Sequence, residues 1–200
     1  MLVGRRRSPK DAIIDAADKL FSERGYAAVT LRDIASEVKL KHASLYHHFP
    51  GGKEELFVRV TEKSLAGHRQ GLEGAIAACG QDLRKALYAV ADWLLGHAPM
   101  DLIRMVHSDM PRLTEPHAKA LSDLAFVSLI LPVARVITDA RNRGEVATEN
   151  PILVAGGLLG MIESLHAAPQ TNMPAGLDEM AQTLVDTMLE GLLVRRSNAR

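Results

Sequence analysis

The chain has 200 residues, 47% hydrophobic and 24% charged, which is enough length and apolar content for a buried core and leaves disorder as an expectation for the ends only. Its one cysteine, Cys79, excludes an internal disulfide and a cysteine-based zinc site, and its setting between Ala78 and Gly80 fits small-residue packing. The net charge of zero hides an asymmetry: residues 1–53 carry ten Lys or Arg against six Asp or Glu (+4), whereas residues 54–200 carry 14 against 18 (−4).

A basic head on an acidic body fits a polyanion-binding module joined to a part that does not touch the polyanion. Gly, Pro or charge breaks the apolar stretches before about 18 residues, so no membrane span is expected. The opening MLVGRRRSPK has basic residues without a following apolar run, which argues against a secretory signal and for a cytoplasmic location.

Aromatic residues are scarce and apolar residues recur at helical spacing, so the fold class read from the sequence is all-α, with about nine helices. In the first helix Ser8 can cap and Pro9 suits the first position, where its missing N–H costs nothing. Ile13, Ile14, Ala17, Leu20 and Phe21 form its stripe, and Gly25 can stop it in a left-handed conformation. A second helix opens at Thr30 with Asp33 three residues on, a capping-box pattern, and buries Leu31, Ile34, Ala35 and Val38. A third covers Ala43–Phe49 and ends at Pro50-Gly51-Gly52. The fourth starts near Lys53 and turns Leu56, Phe57, Val60 and Leu65 inward.

Later elements are an amphipathic Gln81–Gly96, a short helix from Met100 to Met110, and a long Glu115–Arg143 that Pro132 should kink. Asn150-Pro151 then starts a glycine-rich helix, and Leu177–Arg195 is the last. The expected domains are 8–60 for the helix-turn-helix and 61–200 for the remainder.

The informative segment is TLRDIASEVKLKHASLYHHFPGGK, Thr30 to Lys53. Two short helices across a tight turn match the helix-turn-helix layout, whose second helix reads base edges in the major groove. Leu45 and Phe49, four apart, can face the core. Lys41, His42, Ser44, Tyr46, His47 and His48 are then left as donors for phosphates or bases. Thr30 and Lys53, each at a helix start, can meet a phosphate. His47 and His48 diverge by about 100° on a helix and make a poor metal site.

These residues resemble the tetracycline-repressor (TetR) family over residues 9–60: IIDAADKLFSERGY, then Thr30 with Ile34-Ala35, then LYHHF, then KEEL. The resemblance implies DNA contacts from Thr30, Lys41, His42, Ser44, Tyr46, His48 and Lys53, and structural roles for Leu45 and Phe49. It also implies an N-terminal three-helix DNA-binding domain with a C-terminal helical effector-binding and dimerisation domain. The turn Phe49-Pro50-Gly51-Gly52-Lys53 is one residue longer than the family's usual form and resembles a subgroup that includes regulators of drug-efflux genes. Arms such as Arg5, Arg6 and Arg7 reach the minor groove in some members of the family.

In the body, Gly156, Gly157 and Gly160 permit close helix approach. The stripe Met180, Leu184, Met188 and Leu192 can pack on a symmetry mate through the last two helices, or close the chain's own core. Candidate pocket residues are Trp93, Met100, Met105, His107, Met110, Phe126, Leu129, Met161, Glu163 and His166, each taken singly a core residue by default. Glu163 and His166, one turn apart on an apolar helix, are the polar candidates for a small-molecule effector. No cofactor is implied. An all-helical enzyme is the remote alternative, since His97, His107, His117 and His166 lack ligand spacing and no nucleophile motif appears. A helix-turn-helix protein acting through protein partners is the other.

Overall fold

The computed structural model describes residues 8–97, 104–167 and 175–193, and Arg5–Arg7, Met100, Pro169 and Pro174 lie outside them. Among the described residues are nine α-helices: α1 Pro9–Ala28, α2 Leu31–Glu37, α3 His42–His48, α4 Gly52–Ala77, α5 Leu83–Leu95, α6 Glu115–Ala125, α7 Leu131–Asn142, α8 Pro151–His166 and α9 Leu177–Leu192. The all-α expectation holds, with the only described β-type pairing an isolated bridge, Val146 to Leu193. Of the expected Met100–Met110 helix, the described part begins helical at residue 104 and continues as a π turn, Met105–Asp109, and a 3₁₀ turn, Met110–Arg112.

The residues fall into two compact units: one holds the described parts of Met1–Ser64 and Ile103–Ser122, the other those of Leu65–Leu102 and Asp123–Arg200. In the first, Ile13, Leu20 and Phe21 of α1 meet Leu31 and Ile34 of α2, Leu45 and Phe49 at α3, and Leu56, Phe57 and Val60 of α4 in the buried set. Both start signals act as read. The Ser8 hydroxyl accepts the Asp11 N–H while the Asp11 carboxylate accepts the Ser8 N–H, and Thr30 and Asp33 repeat the exchange. Gly25 breaks α1 as its sequence setting suggests, at φ 76° and ψ 166°, and one further turn follows to Ala28.

The second unit has its own core. Leu83, Leu87, Val90, Ala91 and Leu94, the apolar face of the amphipathic α5, pack with Val133 and Ile137 of α7, Leu158, Leu159 and Ile162 of α8, and Ala181, Val185 and Leu189 of α9. A side chain such as Leu158, fully withdrawn from water, contributes about 1.5–3 kcal/mol. α5 and α9 are also tied by polar groups, because the Tyr88 hydroxyl donates to Asp186 Oδ1 at 2.6 Å and Arg84 pairs with the same carboxylate.

Pro132 coincides with a local change of helix type. It offers no N–H to Ser128, and the backbone just before it widens into a π turn, Phe126–Ile130, closed by the Leu131 N–H on the Phe126 carbonyl. Counted through that turn, Glu115–Asn142 is a 28-residue run long and apolar enough to cross a membrane by length and composition. This corrects the expectation that apolar stretches end sooner: the helical run continues through Pro132. Buried Leu129, Val133, Ala134, Ile137 and Ala140 put one face of the run in the core of the second unit.

The indole of Trp93 lies directly on the backbone of Gly71, where an added Cβ would come 1.8 Å from Trp93 Cζ2. Only glycine admits that approach. Gly71→Ala should therefore force the rigid indole out and destabilise the protein by about 1–3 kcal/mol, read as a lower urea midpoint. Gly74→Ala, where nothing lies within 4 Å, serves as the silent control, and equal midpoints for the two variants would refute the overlap.

Candidate DNA-reading face

α3 has seven residues, too short to persist alone, and it is held through one face. Leu45 and Phe49 are each 1% exposed, whereas Lys41, His42, Tyr46 and His47 are exposed and Ser44 and His48 half-buried. His42 and Tyr46, one turn apart, meet edge to face with ring centres 5.5 Å apart. Tyr46 is 47% exposed, a large cost in apolar contact unless something covers it. The basic Lys41 takes the N-cap position with no side-chain cap.

The turn between α2 and α3 is a helix stop made without glycine. The Leu40 N–H reaches the Ala35 carbonyl at 2.9 Å and the Lys39 N–H reaches Ser36 at 3.1 Å, a Schellman arrangement with Lys39 at φ 56°. A side chain in this left-handed conformation costs about 1–2 kcal/mol relative to its right-handed form. Lys39→Gly should raise stability by about 1 kcal/mol, seen as a higher urea midpoint at unchanged slope; a lower midpoint would mean that the Lys39 side chain stabilises the turn.

Thr30 is fully engaged as a cap. Its hydroxyl donates to Asp33 Oδ2 at 2.6 Å and accepts the Asp33 N–H at 3.2 Å; that donated bond, and then the one from the Thr30 N–H to Oδ2 at 2.7 Å, hold the Asp33 carboxyl below the usual carboxylate range. The longer turn before α4 is closed by the Gly52 N–H on the Phe49 carbonyl at 2.9 Å, with Gly52 at φ 68°, and by the Gly51 N–H on Glu55 Oε2 at 2.8 Å. Lys53 then starts α4 with its ammonium 4.2 Å from the centre of the Tyr26 ring and 3.5 Å from the Ala27 carbonyl oxygen. Partial burial, and after it Arg112, lower its pKa from the ordinary lysine value. Tyr26 packs in turn on Phe57, ring centres 4.9 Å apart.

Several of these partners were not foreseen, because they come from far along the chain. Glu54 Oε1 accepts from the Thr114 N–H at 2.8 Å, the Thr114 hydroxyl at 2.7 Å and His117 Nδ1 at 2.7 Å. The hydrogen bond from His117, then those from Thr114, hold the Glu54 carboxyl below its ordinary value. A carboxyl so shifted stabilises the fold above its unfolded pKa of about 4.3, and the benefit is lost as pH falls through the lower folded value. Glu54→Gln should lower the melting temperature at neutral pH, and the gap from the wild type should close as pH drops below about 4.3. A gap that stays constant with pH would show that the charge is not involved.

The pocket candidates do not form one cluster within a unit. Met105, buried, and His107, exposed, belong to the first unit. In the second, Trp93 stacks on His97 at 3.7 Å and His166 Nε2 lies 3.2 Å from the Leu94 carbonyl oxygen, so both meet the end of α5. Met161 packs half-buried on the core, Glu163 is half-buried on α8, and Phe126 is exposed. The stripe Met180, Leu184, Met188 and Leu192 also packs half-buried against the core, beside the fully buried Ala181, Val185 and Leu189. Among the described residues no group of three or more His, Cys, Asp or Glu is placed to hold a metal ion.

Comparison with known proteins shows what this segment and this fold are similar to. Residues 13–60 match the model for bacterial regulatory proteins of the tetR family. Over 53 residues the chain is 51% identical to IcaR of Staphylococcus epidermidis, a helix-turn-helix negative transcriptional regulator of the biofilm operon icaADBC; this covers 26% of the chain and 28% of that protein. The chain thus spans little more than a quarter of the length of that relative. The fatty acid degradation regulator FadR from Bacillus halodurans shares the fold with a TM-score of 0.71 at 15% identity, over 94% of this chain and 98% of that one. A putative TetR-family transcriptional regulator from Mesorhizobium loti does so with a TM-score of 0.69 at 24% identity, over 96% and 100%. The N-terminal segment is thus similar to the tetR family of bacterial regulatory proteins, and the all-helical fold is one that solved structures of TetR-family regulators share.

Proposed function

We propose that the protein is a ligand-responsive transcriptional repressor that binds a palindromic operator as a homodimer and is released by a small-molecule effector. The observation that carries the reading is α3: a seven-residue helix seated by Leu45 and Phe49 that presents Lys41, His42 and Tyr46 to solvent. Such a surface is poorly suited to a core and well suited to phosphates and base edges. Repression is supported by the negative regulator whose sequence matches this chain over 53 residues.

In this reading Lys41, Tyr46 and Lys53 meet phosphates, and His42 and Ser44 face bases, with His48 at their margin. Thr30, its hydroxyl committed to Asp33, sets the α2 terminus and contributes to the phosphate contact by position. Residues 8–60 serve as the reading domain and 61–200 as the effector and dimerisation domain, with α8 and α9 as the dimer surface. Leu153, 70% exposed on α8, and the half-buried Met188 and Leu192 on α9 supply apolar area for that surface. Trp93, Glu163 and His166 of the second unit, with Phe126, Met161, Met105 and His107, remain the effector contacts to test. A DNA-binding role places the protein in the cytoplasm. The subgroup reading, regulators of drug efflux, rests on the lengthened turn alone.

The test is selection by purified protein from random duplex DNA at low salt. The expected product is an inverted repeat whose half-sites lie about 34–36 Å apart, centre to centre. Binding should weaken steeply with salt as counterions are released. Tyr46→Ala should weaken every sequence alike, and His42→Ala should relax preference at particular base pairs. Recovery of no sequence would sink the reading, and a tight protein complex without an operator would favour action through protein partners.

A further inference from the structure

We propose that Arg104 and Asp109 are positioning residues for DNA binding, which rebuild the broken end of α1 and thereby seat Tyr26 and the Lys53 ammonium. This rests on the reading of Lys53 as a phosphate contact. At Gly25 the backbone takes φ 76° and ψ 166°, a region that side chains other than glycine's almost never enter. The helix is interrupted there, and the Tyr26 N–H, which would otherwise close a turn onto Ser22, is free for another acceptor. Asp109 Oδ1 accepts it at 3.0 Å. The orphaned Ser22 carbonyl takes a bond from Arg104 Nη1 at 3.1 Å, and Phe21 takes one from Nη2 at 3.3 Å. Two side chains some 80 positions away, Arg104 at the N-cap of the π turn and Asp109 at its end, thus stand in for the missing helical bonds.

The fit is close. A Cβ on Gly25 would come 3.4 Å from Arg104 Cδ and 3.5 Å from Asp109 Oδ1. Asp109 is 4% exposed, and a carboxylate so placed needs its partners: the Tyr26 N–H, and Arg104 Nε at 3.5 Å from Oδ2. What they hold is the residue beneath Lys53. Tyr26 lies against Phe57 and Phe21, and the Lys53 ammonium sits over its ring while also reaching the Ala27 carbonyl. An ammonium has three donors, so a lysine seated by a ring and one carbonyl can still offer a donor to a phosphate, with its side-chain entropy already spent.

The experiment has two readouts on the full chain. In the first, lysines are reductively methylated with ¹³C-formaldehyde; the Lys53 methyl signal, assigned by its loss in Lys53→Arg, should lie upfield under the Tyr26 ring current. Asp109→Ala should move it to the position of an exposed lysine, and Asp109→Asn, which keeps the Oδ1 acceptor, should retain most of the shift. In the second, affinity for the selected operator is measured against salt. Asp109→Ala should lower affinity roughly tenfold and the salt slope by about one, as Lys53→Ala does, and the double variant should be no worse than either single one. Should Asp109→Ala fail to fold, Tyr26→Leu removes the ring while leaving the backbone bond, and the same two changes are expected. An unmoved methyl signal, or a loss of affinity at unchanged slope that adds to that of Lys53→Ala, would overturn the proposal and leave Asp109 a purely structural residue. Failure of the wild type to bind any duplex, with the upfield signal present, would instead strike the function proposed above.

Discussion

Seven residues of helix cannot hold themselves together in water, so everything that α3 does depends on two side chains. Leu45 and Phe49 are spaced by one turn and are both withdrawn almost completely from solvent. Their burial, at about 1.5–3 kcal/mol for a fully buried side chain, exceeds what a few intrahelical hydrogen bonds supply net. With these two inward, helical geometry leaves no choice about the rest: positions 42, 43, 46 and 47 must face away from the core. The polar face follows from the apolar one.

The same unit shows how a break in a helix can be used. α1 ends its regular run at Gly25, and an interrupted helix leaves backbone donors and acceptors that must be satisfied where they are buried. Capping by a carboxylate and a guanidinium from residues 104–109 meets that need with charge-assisted bonds and fixes the Tyr26 ring. Glu54, bonded to Thr114 and His117, makes a second attachment of the same kind at the start of α4. Exposed pairs such as Lys19 with Glu37 and Lys63 with Asp15 cross between helices too, but in water such pairs contribute little.

What the sequence made legible divides along the range of the interaction. Ser8 with Pro9, Thr30 with Asp33, and Asn150 with Pro151 are decided within a turn of helix, and each acts as read. The buried stripes of α1, α2 and α5 follow from the 3.6-residue period, except that Ile14 and the C-cap Val38 are only half-buried. Lys39 shows the limit of local rules: the turn signal there is normally glycine, and the chain stops α2 with a lysine instead. Nothing near Tyr26 announces that its N–H will bond Asp109, 83 residues later, and the π turn at Met105–Asp109 has no sequence signature. The direction of the Lys53 side chain was hidden for the same reason, since an aromatic 27 residues back decides it.

The division has a consequence for how such a protein can change. The side chains that seat α3 make almost no use of solvent, and those proposed to read DNA make little use of the core. Replacing His42 therefore need not disturb Leu45, and surface substitutions away from caps and buried networks ordinarily stay within about 0.5 kcal/mol. Tyr46 is the exception on its face, because its ring packs edge to face on His42. Stability and base preference are thus nearly separable along α3, coupled mainly through that one pair. Asp109 is the opposite case: it is buried, charged and far from α3 in sequence, yet it bonds the backbone that carries the ring under Lys53. Under the proposal made above, a change there alters folding and binding together, because the same hydrogen bond serves both.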